Sequence, residues 1–195
     1  MRSSWTGRGA RAVALLVLAL LGCGVRAPGL DPSEHVAGER QRVVQEPIER
    51  LWPLLLKALP DEGLRVIHAD QKRGAIATSP VRITGREVQK RLAEIGDLSR
   101  ARQAGLERVS ELEVRYFLLL ASAGGAGTRL RIRSSIDAVD RSDPSFLGPG
   151  LFQIVPRHVE VPSRGVVEGE LMRRLAANLF TAEEMLFFLG EPGID

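Results

Sequence analysis

Apolar residues recur at helical intervals after Pro47, a residue suited to the first turn of a helix. They fall on one face of residues 48–59, namely Ile48, Leu51, Trp52, Leu55, Leu56 and Leu59. This spacing predicts an amphipathic helix. Pro53 interrupts it, and because an internal proline removes a backbone hydrogen bond, we expect a kink or a helix that begins nearer Leu51.

The same spacing returns near the carboxyl end of the chain. Residues 163–180 carry Val167, Leu171, Leu175 and Leu179 along one seam, which predicts a long helix. Glu170 and Arg174 lie four residues apart in it and are placed to form an ion pair. The sequence Thr-Ala-Glu-Glu at 181–184 is typical of a capping box, and it predicts a short final helix that ends at Gly190.

Between the two helices the apolar residues alternate, as in strands. Residues 40–46 predict a short strand, residues 64–69 and 74–79 a hairpin, and residues 111–121 and 128–139 a longer hairpin closed by the glycine-rich turn 124–127. One face of the longer hairpin carries Leu112, Val114, Tyr116, Leu118, Leu120, Leu130, Ile132 and Ile136. These segments predict an antiparallel sheet with one face covered by helices and the other in water.

Two segments do not fit either pattern well. Residues 85–109 are highly charged and only partly helical in spacing, so they predict an inserted excursion. Residues 143–162 contain four prolines and two glycines and predict an irregular loop. The elements then follow in the order β-α-β-β-β-β-α. We expect one α+β domain over residues 40–190, with an antiparallel sheet of about five strands and the long helix packed on it.

The amino terminus has the features of an export signal. Arg2, Arg8 and Arg11 precede an apolar run over residues 12–21, which is too short to span a bilayer. The run ends in Leu-Leu-Gly-Cys at 20–23, which resembles a bacterial lipobox, and Cys23 is the only cysteine. We therefore expect a lipoprotein signal peptide over 1–22 and a lipidated, flexible spacer over 23–39. The alternatives are that Cys23 is an incidental residue of an ordinary signal peptide, or that it is buried in the protein as a small apolar residue.

Removing this signal changes the charge balance. Three of the 27 Lys and Arg residues precede Cys23 and all 24 Asp and Glu residues follow it, which leaves 24 of each. A mature chain near neutrality argues against a nucleic-acid partner. Gly24, rather than Asp, follows Cys23, and by the sorting habit of Gram-negative lipoproteins this indicates the outer membrane, with the domain facing the periplasm.

Residues with catalytic or metal-binding chemistry are scattered. His68 and Asp70 share one strand face but lack an evident third metal ligand, and Glu111 and Glu113 share another face. No serine has a nucleophile-elbow setting, and the 124–127 glycines join two strands rather than cradle a phosphate. The sequence therefore predicts a protein that is not an enzyme and has no metal or cofactor beyond the covalent lipid on Cys23.

Two other features are candidates for contact with a partner. Arg129, Arg131 and Arg133 form a stripe facing away from the predicted core. It is either a solvated strand face partly neutralised by Glu111 and Glu113, or a surface for anionic lipid headgroups, a polyanion or an acidic protein. Separately, Phe146, Leu151 and Phe152 form either a loop tucked over the sheet or an exposed apolar patch.

The chain also resembles a known family. The resemblance is carried by Cys23 in its lipobox, by 47–59 followed by 62–66, by Asp70 with 74–78, and by 163–168 at the start of the long helix. Together these residues resemble the BamC (NlpB) lipoproteins of the outer-membrane β-barrel assembly machinery, whose domains are of the helix-grip type. Those proteins carry two such domains in tandem, whereas this chain has room for one.

Two functions remain after this step, and an envelope hydrolase, which would need a polar cluster that the sequence does not show, is a third and less favoured class. The resemblance implies a lipid-anchored protein-interaction module that binds envelope proteins and is accessory to outer-membrane protein assembly. The alternative is a carrier or sensor that holds a small apolar ligand between the last helix and the sheet. A cavity lined by Trp52, Tyr116 and Leu171 would favour the ligand, and large side chains filling that space would favour the interaction module.

Overall fold

The computed structural model describes residues 37–103, 105–106, 108–125, 127–141, 144–148 and 151–179, with the backbone alone for 144–148 and 151–154. The predicted signal peptide, Cys23, most of the spacer and the predicted helix at 181–190 lie outside these residues. Within the described part, no helix combines the length and the apolar character needed to cross a bilayer.

The secondary structure comprises nine strands and four helices among the described residues. The strands are β1 (Arg40–Val44), β2 (Val66–Asp70), β3 (Ala75–Thr78), β4 (Val81–Thr84), β5 (Glu111–Ser122), β6 (Thr128–Asp140), β7 (Pro144–Gly148), β8 (Leu151–Ile154) and β9 (Arg157–Val161). The helices are α1 (Ile48–Asp61), α2 (Val88–Ile95), α3 (Leu98–Gln103) and α4 (Val166–Leu179).

The long β5–β6 hairpin is the centre of an antiparallel sheet. It pairs without interruption from Glu111 with Val139 to Ser122 with Thr128. Two short strands follow one another along each side of it: β9 and β1 along β6, and β4 and β3 along β5. β2 continues the sheet beyond β3, and β7 pairs with β8 in a separate small sheet. The α+β class, the antiparallel pairing and both predicted hairpins are confirmed.

The strand count and order differ from the prediction, because the sheet has seven strands rather than five. β4 and β9 were not predicted, and neither were β7 and β8 within the expected loop 143–162. In β7 Pro144 is the first residue, and Pro156 immediately precedes β9, so neither proline stands in the interior of a strand. In segments of four or five residues, the alternation of apolar and polar residues is too short to indicate a strand when prolines and glycines nearby indicate a loop.

Helix α1 begins at Ile48 and continues through Pro53, so the expected later start is wrong. Pro53 lies on the exposed side of the helix. Its missing N–H leaves the carbonyl of Glu49, four residues earlier and also exposed, without its usual helical donor. Because water can satisfy that carbonyl, the proline costs less here than it would on the buried side.

Helices α1 and α4 pack against each other and on the predicted face of the sheet. Every residue expected on that face of the long hairpin is buried, as are Leu51, Leu55 and Leu59 of α1 and Val167, Leu171 and Leu175 of α4. They form one hydrophobic cluster with the apolar side chains of α2. The long final helix and its packing on the sheet are therefore confirmed.

The opposite face of the sheet is more buried than predicted. Phe117 and Leu119 of β5, Ala75 and Ala77 of β3, and Val139 of β6 are all less than 5% exposed on that side. The expectation of one face in water is wrong for the middle of the sheet. Alternation identifies which residues share a face, but it does not tell whether the chain covers the second face as well.

Candidate functional site

The arginine stripe divides into one exposed residue and two buried ones. Arg129 is exposed, whereas Arg131 is 8% exposed and Arg133 only 1%. Both buried guanidinium groups bond to Glu39. Arg131 Nε lies 2.7 Å from Glu39 Oε1, and Arg133 Nε lies 2.5 Å from Oε2. The predicted surface contact is therefore wrong for Arg131 and Arg133, and it stays a prediction for Arg129.

Glu39 is positioned by the way the chain approaches β1. Gly38 has a positive φ of 82° and passes so close to the loop before α4 that a Cβ there would lie 2.6 Å from the Ser163 carbonyl oxygen. Arg40 Nε then donates to the Gly165 carbonyl over 3.3 Å. The acids expected to neutralise the stripe, Glu111 and Glu113, lie opposite the other end of β6, at Val139 and Asp137.

The two arginines determine the ionisation of Glu39. Burial by itself would raise the pKa of this carboxyl group, but hydrogen bonds and charge from Arg131 and Arg133 outweigh burial and hold the pKa below its usual value. A folded pKa below the unfolded one stabilises the fold at pH values above the unfolded pKa of about 4.3. That contribution is lost as the pH falls through the lowered folded pKa.

We expect Glu39→Gln to lower the free energy of unfolding at neutral pH by roughly 3 kcal/mol, because it leaves buried guanidinium groups without their carboxylate. The difference from the unmutated protein should shrink as the pH falls below the unfolded pKa of about 4.3, and it should disappear once the pH passes the lowered folded pKa of Glu39. Urea unfolding across pH measures it. Glu87→Gln is the control, since Glu87 is 79% exposed in a 3.9 Å surface pair with Lys90. Equal effects of the two variants would contradict this role for Glu39.

The other predicted polar residues do not form one site. Arg82 Nε lies 3.2 Å from Glu111 and 3.1 Å from Glu113, and Arg141 Nε lies 3.1 Å from Glu111. His68 is exposed on edge strand β2, and Asp70 on the same strand accepts from the Arg73 N–H over 3.2 Å. Within the described residues no three His, Cys, Asp or Glu side chains come together as metal ligands.

A buried carboxylate, which was not predicted from the sequence, joins α4 to the sheet by hydrogen bonds. Glu168 is fully buried in the first turn of α4 and accepts hydrogen bonds from Ser134 Oγ at 2.6 Å and Ser163 Oγ at 2.9 Å. An acid in the first turn also interacts favourably with the helix dipole. The signal was present in Ser163 followed five residues later by Glu168, but Ser134 is distant in sequence and only the fold brings it there.

The exposed side of α4 forms a cleft with α2. This α2–α4 cleft has a volume of about 560 Å³ and is lined by Arg91, Glu170, Arg173, Arg174 and Ala177. Arg91 bonds to Glu170 at 2.6 Å and to Glu94 at 3.2 Å. The hydrogen bond with Glu170 raises the pKa of Arg91 above its usual value. The predicted ion pair between Glu170 and Arg174 does not form: Arg174 lies 3.4 Å from Glu62, and Glu170 pairs with Arg91.

Tyr116 lies on the sheet face beneath these helices. It is 6% exposed, and burial raises the pKa of its phenol to about 12. The charges acting on the phenol belong to Arg174, Glu168, Glu170 and Arg91, three of which line the α2–α4 cleft. The backbone of Tyr116 bonds with Thr78 Oγ1, but no described residue forms a hydrogen bond with its hydroxyl group.

Tyr116 is the only tyrosine in the chain, so phenolate absorbance reports on it alone. We expect an alkaline titration of the folded protein to have its midpoint near 12. In denaturant the midpoint should fall to about 10. Because the folded pKa is raised, this group destabilises the fold as the pH rises above 10. Circular dichroism on the same samples tests whether the protein is still folded, and a midpoint near 10 while it is folded would contradict this burial.

The space predicted for an apolar ligand is occupied by side chains. Trp52 and Tyr116 are each 6% exposed, Leu171 is fully buried, and all three belong to the same core cluster. A cavity of about 510 Å³ lies instead beside α2 and α3, lined by Gln89, Leu92, Leu98, Ala101, Arg102, Gly105, Leu106 and Val109. This cavity, whose lining combines apolar residues with Gln89 and Arg102, does not include Trp52, Tyr116 or Leu171, the residues that the sequence predicted around a ligand.

No protein-family description matches this chain, and no curated protein does.

Proposed function

We propose that this protein is a lipid-anchored, non-enzymatic protein of the cell envelope whose α+β domain binds other envelope proteins. The anchor is Cys23, and the location is the periplasmic side of the outer membrane. A role accessory to outer-membrane protein assembly follows from the resemblance to the BamC lipoproteins. The lipobox at 20–23 and the near-neutral mature charge support this proposal over a nucleic-acid partner.

The packing beneath α4 is the observation that favours an interaction module over a ligand carrier. A carrier needs an interior cavity of some hundreds of Å³ for its ligand. Trp52, Tyr116 and Leu171, which would line such a cavity, are instead packed together in the core. Since that interior is filled by the protein's own side chains, binding is assigned to the surface of the domain.

The cavity beside α2 and α3 supports a second candidate function. Leu92, Ala101 and Leu106 in its wall are at most 5% exposed, and the volume of about 510 Å³ lies in the range of small-molecule sites. Arg102 adds a cation among these apolar residues. A carrier or sensor of a small apolar ligand with an acidic group is therefore the alternative, at this site rather than under α4.

Crosslinking in intact cells separates the two functions. A photoreactive amino acid at Arg129 or Arg173, both exposed, should capture discrete envelope proteins that mass spectrometry identifies. Native mass spectrometry of the purified protein tests the alternative. A stoichiometric bound lipid or metabolite, lost in a Leu106→Trp variant that fills the cavity, together with no captured protein, would overturn the interaction module in favour of the carrier.

The non-enzymatic part of the proposal has its own test. His68→Ala combined with Asp70→Asn should leave cellular function intact, because both residues lie on an edge strand and His68 is exposed. Glu111 and Glu113 are unsuitable for this test, since both hold ion pairs with Arg82 and Glu111 is 7% exposed. Loss of function in a folded His68/Asp70 variant that still crosslinks to its partners would indicate catalysis.

A further inference from the structure

Four exposed arginines lie near the point where the chain enters the domain from the predicted spacer. They are Arg40 in β1, Arg100 and Arg102 in α3, and Arg164 before α4, and we refer to them as the arginine face. None of these four side chains forms an ion pair with a described residue. Arg40 Nε donates a hydrogen bond to the Gly165 carbonyl over 3.3 Å, and Arg164 Nη1 donates to a carbonyl of α2 over 3.2 Å.

The fold brings these arginines together from three separate segments. Ala37, Leu98 and Arg164 line the same cavity, which has a volume of about 490 Å³. The Arg164 N–H donates to the Ile95 carbonyl over 2.9 Å, so the segment before α4 is held against the end of α2. Helix α3 continues from Leu98, and Arg102 therefore lies only about 6 Å further along its axis.

Acidic groups offset little of this positive charge. Asp97 is the exposed acid in the wall of the cavity. Hydrogen bonds with Ser99, followed by the charge of Arg164, hold the pKa of Asp97 below its usual value, so this carboxylate is ionised at neutral pH. Two other acids in the adjoining segments, Glu39 and Glu94, are already paired with arginines outside the arginine face.

The mature protein therefore has an uneven charge distribution. It contains 24 basic and 24 acidic residues, so removing the arginine face and Asp97 leaves 20 basic and 23 acidic residues for the rest of the chain. An excess of positive charge lies at the arginine face, and an excess of negative charge lies elsewhere. An anionic surface orients such a molecule even though the net charge of the molecule is close to zero.

The position of the arginine face relative to the predicted lipid anchor indicates which anionic surface it meets. Ala37 is the fourteenth residue after Cys23, so even a fully extended spacer keeps the entry to the domain within about 50 Å of the lipidated residue. Tethering of this kind gives an effective concentration on the order of millimolar at the bilayer, at which a weak attraction to headgroups suffices. Guanidinium groups also match phosphate oxygens with two parallel hydrogen bonds.

We propose that the arginine face binds the anionic phospholipid headgroups of the membrane that carries the anchor, and thereby fixes the orientation of the domain. This inference rests on the proposed function, because it requires the lipid on Cys23. Since β1 and β2 lie at opposite edges of the sheet, the β2 edge then faces away from the bilayer. That edge is left accessible to partner proteins.

The test uses the mature, acylated protein inserted into vesicles, with a fluorophore on one introduced cysteine. Cys23 is the only native cysteine, and its acylation leaves no second thiol to label. Gln103→Cys places the fluorophore at the exposed end of α3, and Gln71→Cys places it in the exposed turn after β2. The vesicles contain phosphatidylcholine, with or without phosphatidylglycerol, and a lipid whose headgroup carries a nitroxide quencher.

We expect quenching of the Gln103 label, but not of the Gln71 label, in the phosphatidylglycerol vesicles. High salt should remove it, because salt screens exposed charges. Each arginine near an anionic surface contributes about fivefold to the ratio of bound to unbound domain. Arg100→Glu with Arg102→Glu should therefore lower that ratio at least about 25-fold. Arg65→Glu with Lys72→Glu makes the same change in net charge at two exposed residues of the β2 edge and should leave quenching unchanged.

The outcomes separate failure of this inference from failure of the proposed function. Equal quenching of the two labels, equal quenching at Gln103 in both kinds of vesicle, or quenching that survives Arg100→Glu with Arg102→Glu would overturn the inference alone. A second fluorophore, located at Cys23 by intact-mass analysis, would show that the thiol is free and would overturn the anchor and the inference together. An unquenched Gln103 label, with a photoreactive residue at Gln103 that captures an envelope protein in cells, would assign the arginine face to a protein partner instead.

Discussion

Leu171→Asp should destabilise the domain by several kcal/mol, a large fraction of the free energy of unfolding of a typical small domain. Leu171 is fully buried where α4 meets the sheet and α1. An aspartate there places an uncompensated charge in the apolar core and removes the packing of a leucine side chain. Thermal and urea unfolding of the purified variant measure the effect.

Leu54→Asp is the matched control for this substitution. Leu54 is 44% exposed on α1, between the exposed Pro53 and the fully buried Leu55. The chemistry of the change is the same, but the new carboxylate stays in water, so we expect a loss of less than about 1 kcal/mol. If Leu171→Asp and Leu54→Asp unfold alike, or if Leu171→Asp unfolds like the unmutated protein, α4 does not pack as described.

Cys23→Ser should abolish lipid attachment. The substitution removes the thiol that a lipobox cysteine uses to accept its lipid, so we expect either a soluble protein or an uncleaved precursor. Cell fractionation and intact-mass analysis measure both. An unmutated protein whose mature amino terminus carries no acyl chains would refute the anchor, whatever the location of the variant.

Gly24→Asp serves as the companion variant because it leaves Cys23 in place. We expect this protein to keep its lipid and its membrane association, but to move to the inner membrane under the sorting habit of Gram-negative lipoproteins. Sucrose-gradient separation of the two membranes distinguishes the destinations. Release of Gly24→Asp from membranes would show that residues around the cysteine, and not the lipid, hold the protein there.

Much of the fold could be predicted because the relevant signals are local. Period-two alternation over 111–121 and 128–139 identified the central hairpin and the residues on its covered face. Helical spacing located α1 and α4, with Leu171 and Leu175 at their contact with the core. The short strands β4 and β9 were not predicted, because four or five residues show little periodicity. Their pairing with β5 and β6 joins segments that are distant in sequence.

The candidate site was less predictable for the same reason. A stripe such as Arg129, Arg131 and Arg133 indicates a shared face, but Glu39 reaches its two inner members only because β1 pairs with β6. Likewise, Glu170 and Arg174 were expected to pair within α4, yet α2 brings Arg91 to Glu170. Spacing within a helix predicts one possible ion-pair partner for a side chain, whereas the tertiary structure can bring a different partner from another element.

By itself, the sequence determined the α+β class, the two hairpins and the final helix, and it predicts Cys23 as a lipid anchor; all of these depend on neighbours along the chain. Only the tertiary structure decided that Arg133 is interior, that Glu168 joins α4 to Ser134 by a hydrogen bond, and that Tyr116 is buried in the core beneath the helices. Burial and ion pairing depend on which distant segments share a volume. No pattern of a single segment contains that information.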